Sequence, residues 1–420
     1  MDIRAEVLER FLSYVKIDTQ SQDGVEDRYP STEKQKDLGR LLVDQLKVLG
    51  LEDVGMDEHA YVTATLPENI PAGVARAEKV PTIGLLAHMD TYPEVSGKDV
   101  KPQIHKNYQG GGLELPALPE DSIMPTDNPD LERYVGSDII TTDGSTLLGA
   151  DDKAGIAEIM TLLELYRADT SLPHPRLRIG FTPDEEVGNG TKYFNVENFG
   201  ATAAYTMDGS GMGEVEDETF CADSAIVTIK GIDVHPGYAK GKMVNAVRMA
   251  AEFVRRIPGE NVPETTDGRD DYLHAYQLTG NVSEATIVIL KRSFSEAGLE
   301  KMQAHLDRIR QEVLAIEPRV KIEMEIKESY RNMKVILDQH PLVVAHANEA
   351  VRRAGIEPES MAIRGGTDGA RLSFDGLPTP NLSAGGYNFH SKKEWVPVDG
   401  LVKAVEVLRE LMTVYVEKGL

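Results

Sequence analysis

The sequence predicts an α/β protein with a largely parallel sheet, interrupted by a smaller α+β insertion. Three observations predict it. Through the first half of the chain, apolar runs of strand composition alternate with segments of helical period, the order of a parallel sheet covered by helices. From about Thr219 the order becomes strand, helix, strand, helix, strand. At 420 residues the chain is also longer than one hydrophobic core usually grows.

The first element is a helix: Ile3, Val7, Phe11 and Val15 share one face with charged residues between them. It reads as an amphipathic helix and not as a signal peptide, and no run of 18 apolar residues follows to span a membrane. Strands are expected at Tyr61–Leu66, Thr82–Ala87, Leu177–Phe181, Ala203–Met207 and Thr379–Ser383. Ile156, Ile159, Met160 and Leu163 mark a helix that begins at GADDKAG. Within the insertion, strands are expected at Ser224–Lys230, Glu284–Leu290 and Arg319–Lys327, with room for another near Tyr276–Gly280. Helices are expected at Val244–Ile257 and Leu299–Ile316. This is the order of a ferredoxin-like, split βαβ unit. Helical period resumes at Pro341–Ala354 and Leu401–Val416. The expected division is therefore an α/β domain of residues 1–218 and 333–420 and an inserted domain of 219–332, with a ligand in the cleft between them. Lys98–Val135, rich in Gly, Pro and acids, reads as a long surface loop or flap.

Charge narrows the function. With 45 Lys and Arg against 69 Asp and Glu, the net charge of −24 repels phosphate backbones and anionic lipid, so neither nucleic acid nor a membrane surface is an expected partner. The single cysteine, Cys221, excludes an internal disulfide and any cysteine-built zinc or iron–sulfur site, and it permits a reducing, cytoplasmic setting. The chain contains no GxxxxGK[ST], GxGxxG between strand and helix, GxSxG or HExxH, which removes the usual support for P-loop, dinucleotide-binding, serine-hydrolase and zincin chemistry.

Polar clusters follow the expected strands. His88-Met89-Asp90 follows TIGLLA, Asp184-Glu185-Glu186 follows LRIGFTP, Asp208 follows AAYTM, and His390 follows NLSAGGYNF. Loops leaving the C-terminal ends of parallel strands converge on one sheet edge. Taken singly, Asp151 is a helix cap, Asp208 a turn residue and His88 a structural histidine; together they make a site. Two histidines with carboxylates and no thiolate suit Zn²⁺, Co²⁺ or Mn²⁺, and the excess of carboxylates favours two ions with Asp151 as the candidate bridge. The spacing of His88 and Asp90 suits a ligand and the acid that orients it. Of the adjacent Glu185 and Glu186, one can bind metal while the other acts as a base.

These segments, HMDT, TTDGSTLLGADDKAGIAEIM, FTPDEEVGNG, MDGSGMGEVE, HPGYAKGKMVNA, RGGTDGARLSFDGLPTPN and GGYNFHSKKE, resemble the co-catalytic dizinc metallopeptidases related to glutamate carboxypeptidase, in their tripeptide aminopeptidase branch. The resemblance runs through the whole chain and implies a zinc-peptidase catalytic domain with the insertion as its lid. It implies that His88, Asp151, Glu186, Asp208 and His390 hold two zinc ions, that Asp90 orients His88, and that Glu185 is the general base. It also implies substrate contacts at His235, Arg292, Asn332 and Arg364, a short peptide as substrate, and a homodimer through the insertion. Two alternatives share those residues: a dipeptidase or N-acyl-amino-acid amidohydrolase on the same metals, and a non-catalytic metal- or peptide-binding homologue.

Overall fold

The run IGLLAH is apolar almost throughout, and all six residues of the strand Ile83–His88 are buried. A strand buried on both faces needs helices on both, which places it at the centre of an α/β sheet. The computed structural model describes residues 1–420. They form two units: Met1–Asp217 with Val335–Met361 and Thr367–Leu420, and Glu218–Lys334 with Ala362–Gly366.

In the first unit, Ile83–His88 lies parallel to Leu177–Thr182 on one side and to Ala203–Gly209 on the other, with His88 opposite Thr182. Asn381–Ser383 continues the parallel set beside Ala203–Gly209. Glu52–Met56 and Val62–Leu66 extend one side antiparallel, and Glu214–Thr219 and Glu359–Ile363 complete the eight strands on the other. The four central strands therefore end on the same edge, at His88, Thr182, Gly209 and Ser383. One face is covered by Ile3–Tyr14, Ala150–Ala168, Pro341–Arg353 and Val398–Lys418, whose apolar sides share a core with Leu85, Ile179 and Tyr205. On the other face Leu86 and Ala204 pack with Phe199, Leu372 and Leu377. Gly155 sets the closest approach of helix to sheet, since a Cβ there would sit 2.5 Å from the Met207 backbone oxygen.

The Lys98–Val135 stretch, expected as a loop or flap, is a packed segment. Ile139–Thr141 pairs antiparallel with Gln103–His105 on one side and Trp395–Pro397 on the other in a three-stranded sheet, and Pro129–Tyr134 forms a 3₁₀ turn. Tyr108, Leu113, Leu115, Ile123, Leu131 and Tyr134 build a small core against Tyr387 and Trp395. Apolar residues spaced irregularly among glycines and prolines carry no period, so their common core was invisible in one dimension.

The second unit has the chain order strand, helix, strand, strand, helix, strand and the spatial order Tyr272–Gly280, Glu284–Ser293, Cys221–Lys230, Lys321–Tyr330, all antiparallel. Alternation dictates its one-sided core: Ala225, Val227 and Ile229, with Ala285, Ile287 and Ile289, face the helices Ala246–Val254 and Glu296–Ile316. One boundary differs from expectation. Residues 362–366 join this unit, because the Arg364 guanidinium stacks over Phe220 and Tyr272 and donates to Gly268 O, Asp270 O and Thr266 Oγ1. No helix in either unit is long and apolar enough to cross a membrane.

Candidate metal centre at the sheet edge

The first unit brings His88, Asp151, Glu186, Asp208 and His390 together at the C-terminal edge of its parallel strands. Asp151 sits between the two histidines: its Oδ1 is 2.8 Å from His88 Nε2 and its Oδ2 is 3.1 Å from His390 Nε2. His88 Nε2 also lies 3.4 Å from Asp208 Oδ1, and His390 Nε2 lies 2.9 Å from Glu186 Oε2. Two donor groups result, joined by one carboxylate.

The local sequence explains how Asp151 comes to face them. Gly149 takes a left-handed φ of 81°, and Asp151 and Asp152 have non-helical backbone angles before the helix proper begins. The neighbouring Asp152 does the capping, accepting the Gly155 N–H at 3.1 Å and the His88 N–H at 3.1 Å, so the Asp151 carboxylate is turned to the histidines. Glu394, buried to 1 % exposure, accepts the N–H groups of Leu148, Gly149 and Asp151 at 2.8, 2.8 and 3.1 Å. It thereby ties the loop carrying Asp151 to the chain four residues beyond His390.

Asp90 touches both the histidine and the acidic turn. Its nearer contact with His88 is through the backbone, Asp90 O to His88 Nδ1 at 3.1 Å, with the carboxylate at 3.5 Å. That carboxylate accepts the N–H groups of Glu185 and Glu186 at 3.0 and 3.2 Å, and so orients the acidic pair as well as the histidine. The turn is pinned again by Asp184, whose carboxylate accepts from Ser31 N–H, Ser31 Oγ and Gln35 Nε2. His390 is the most exposed member, and Tyr92 stacks on its ring at 4.1 Å with planes 5° apart.

Burial raises the carboxyl of Glu186 to about 8, helped by the Asp151 charge, and burial with the Asp208 charge lifts Glu185 well above the usual range. Asp208 shifts upward too, by burial first. For Asp151 burial opposes ionisation, but the hydrogen bonds from His390 and His88 outweigh it and hold the carboxyl low. For His390 burial opposes the charge, and Asp151 and Glu186 overcome it to raise the imidazole to about 11. Too many acids share too few cations. Glu186 Oε1 is buried with no hydrogen-bond partner, and the donor atoms of His88, Asp151 and Glu186 lie within 4.8 Å of one another. An orphaned carboxylate oxygen, two imidazoles and a shared carboxylate fit divalent ions of the zinc, cobalt or manganese type.

Comparison with known proteins agrees with this chemistry. Residues 143–414 match the peptidase family M20/M25/M40. The chain belongs to peptidase family M20/M25/M40. Among M20 relatives, the protein named Peptidase T of Geobacillus thermodenitrificans is 45% identical over 99% of this chain and 100% of its own length. Peptidase T of Clostridium acetobutylicum is 45% identical over 98% and 100%. A tripeptidase from Staphylococcus aureus superposes with a TM-score of 0.76 at 22% identity, covering 99% of each chain. The dinuclear metal-binding M20 peptidase YXEP of Bacillus subtilis shares the fold at a TM-score of 0.65 and 14% identity, again over 99% of each chain.

The other expected positions of this M20 chain lie in the second unit. His235 is exposed, its Nδ1 accepting the Gly237 N–H. Arg292 donates to Asp223 O and Lys291 O and lies over the Tyr330 ring. Asn332 is 4 % exposed and its amide is engaged within the chain: Oδ1 accepts from Thr219 and Lys334 N–H, and Nδ2 donates to Glu218 Oε1 and Phe294 O. Asn332 thus joins Thr219 and Glu218 to Phe294, and Arg364, half-buried, anchors the 266–270 loop. Residues the sequence reading missed are Tyr92, Asp152, Glu394 and Thr367, whose Oγ1 lies 3.1 Å from Asp208 Oδ2. The Asp151-Asp152 doublet and the spacing of Glu394 after His390 were readable signals; Ser31 and Gln35 meet Asp184 only through the fold.

Proposed function

We propose that this M20 chain is a zinc-dependent tripeptide aminopeptidase, releasing the N-terminal residue from short peptides. The observation that carries the metal reading is Asp151, with one oxygen at each histidine. The reading of the substrate is supported by full-length similarity to relatives named Peptidase T. His88, Asp208 and Asp151 would hold one ion; His390, Glu186 and Asp151 would hold the other. Bound there, the ions supply Lewis acidity and a water acidic enough to ionise near neutral pH. Cobalt or manganese would serve in place of zinc.

Glu185 takes the proton of the attacking water and delivers it to the leaving amine, the task of a carboxylate standing beside the proposed ligand Glu186. Asp90 fixes the backbone from which Glu185 works. His235 and Arg292 complete the proposal, as oxyanion donor and peptide-carboxylate contact respectively. A reducing, cytoplasmic setting belongs with it, Cys221 being unpaired, and so does a homodimer through the second unit, whose sheet ends on the edge strands Tyr272–Gly280 and Lys321–Tyr330.

The test is a side-by-side assay of the zinc-loaded protein on di-, tri- and tetrapeptides and an acetylated amino acid. Preferential release of the N-terminal residue from tripeptides is the expected result. Faster cleavage of dipeptides or of the acetylated substrate would replace this reading with the corresponding alternative, and no hydrolysis of any would leave a binding protein.

A further inference from the structure

The loop that carries His390 has an unusual backbone. Asn388 and His390 have φ values of 55° and 60°, so two non-glycine residues in three are left-handed. Such a turn persists where its surroundings hold it. Its holder is the acidic segment that the sequence suggested as a flap. Asn128, 9 % exposed, accepts a hydrogen bond from Asn388 Nδ2 at 2.5 Å and donates its own Nδ2 to Met124 O at 3.2 Å. Asn388 Nδ2 also reaches Lys393 O at 3.1 Å, closing the turn around His390. Beside it Tyr134 and Tyr387 share a hydroxyl contact of 2.7 Å, and Tyr387 stacks on Trp395 at 4.2 Å. A second link, Lys393 to Asp121, has side chains 30% and 57% exposed.

We infer that residues 106–138 brace the His390 loop, and that Asn128 is the positioning residue through which the brace acts. The Asn128–Asn388 bond carries this role because its Asn128 end is buried and tied in turn to Met124 O, whereas an exposed ion pair such as Asp121–Lys393 contributes little. By setting where His390 stands relative to Asp151 and Glu186, the brace governs one of the two proposed ion sites and leaves the His88 and Asp208 side untouched. In its consequence for metal this rests on the proposed two-ion reading; in its consequence for the loop it does not.

The experiment measures both. In the metal-free protein, Asn128→Ala is expected to raise amide exchange of residues 387–395 at least about tenfold. In the zinc-titrated protein, read by competition with a chelator, it is expected to weaken one of two ions about 10- to 100-fold, the range for partners that orient a ligand. Asn128→Asp, which still accepts from Asn388, should restore both. Asn388→Gly, which tolerates the left-handed φ but lacks the bond, should behave like Asn128→Ala and stands in for it where that variant fails to fold. Asp121→Ala should change neither readout more than twofold. Unchanged loop exchange in Asn128→Ala, or an equal loss in Asp121→Ala, would overturn the brace. Raised loop exchange in Asn128→Ala, together with fewer than two ions bound by the wild-type protein, would keep the brace and refute the two-ion reading.

Discussion

Asp90 Oδ1 accepts the backbone N–H of Glu185 at 3.0 Å, and its Oδ2 reaches the next amide at 3.2 Å. A buried carboxylate thus fixes the direction in which the proposed base points. Asp90→Ala removes both acceptors, and kcat on a tripeptide at saturating zinc should fall about 10- to 100-fold with KM little changed. Steady-state kinetics decide this, and a kcat within twofold of wild type would mean that Asp184 and its partners hold the turn alone.

Glu185→Gln keeps the shape of the side chain and loses the proton acceptor. Turnover should drop about 10²- to 10⁴-fold, the usual contribution of a general base, while zinc content stays at the wild-type value. Elemental analysis alongside the assay separates the two effects; a variant with comparable kcat would require another base.

Tyr92 covers one face of the His390 ring at 4.1 Å. Tyr92→Ala uncovers that face, and one zinc should be held about tenfold more weakly in chelator competition, whereas Tyr92→Phe keeps the stack and should lose less. Equal affinity in wild type and Tyr92→Ala would show that the stack does not orient the ligand.

Glu158 is fully buried in the helix Ala150–Ala168, and neither of its carboxylate oxygens has a partner. Burial pushes its carboxyl well above 4.5. Between 4.5 and that raised value the folded state keeps a proton that the unfolded state has released, so stability falls as pH rises. Glu158→Gln removes this dependence. Its unfolding free energy relative to wild type, followed through Tm, should therefore increase as pH rises above 4.5, by up to about 1.4 kcal/mol per pH unit inside the window. A Tm difference that is flat with pH would place the titration elsewhere.

Much of this was legible from the chain. Strand runs such as TIGLLA and LRIGF carry their burial in their composition, and the polar residues that end them mark the sheet edge because parallel strands share a direction. Alternation in Cys221–Lys230 and Glu284–Ser293 reports a sheet with helices on one face. Lys98–Val135 was opaque because its core is assembled from residues without period, with Tyr387 and Trp395 supplied from more than 200 positions away in the 420-residue chain. The residues of the proposed ion sites stood out by type, but their supports did not. Ser31, Gln35 and Asn128 are ordinary polar residues until the fold sets them beside Asp184 and Asn388. Asn332 and Arg364 likewise make hydrogen bonds within the chain that their type alone did not announce.

The central claim is that Asp151 joins two ions, and anomalous scattering at the zinc edge from crystals of the zinc-loaded protein tests it most directly. The account expects two peaks, one beside His88 and Asp208 and one beside His390 and Glu186, each in contact with a different oxygen of Asp151. A single peak, or two peaks that do not share Asp151, would contradict it.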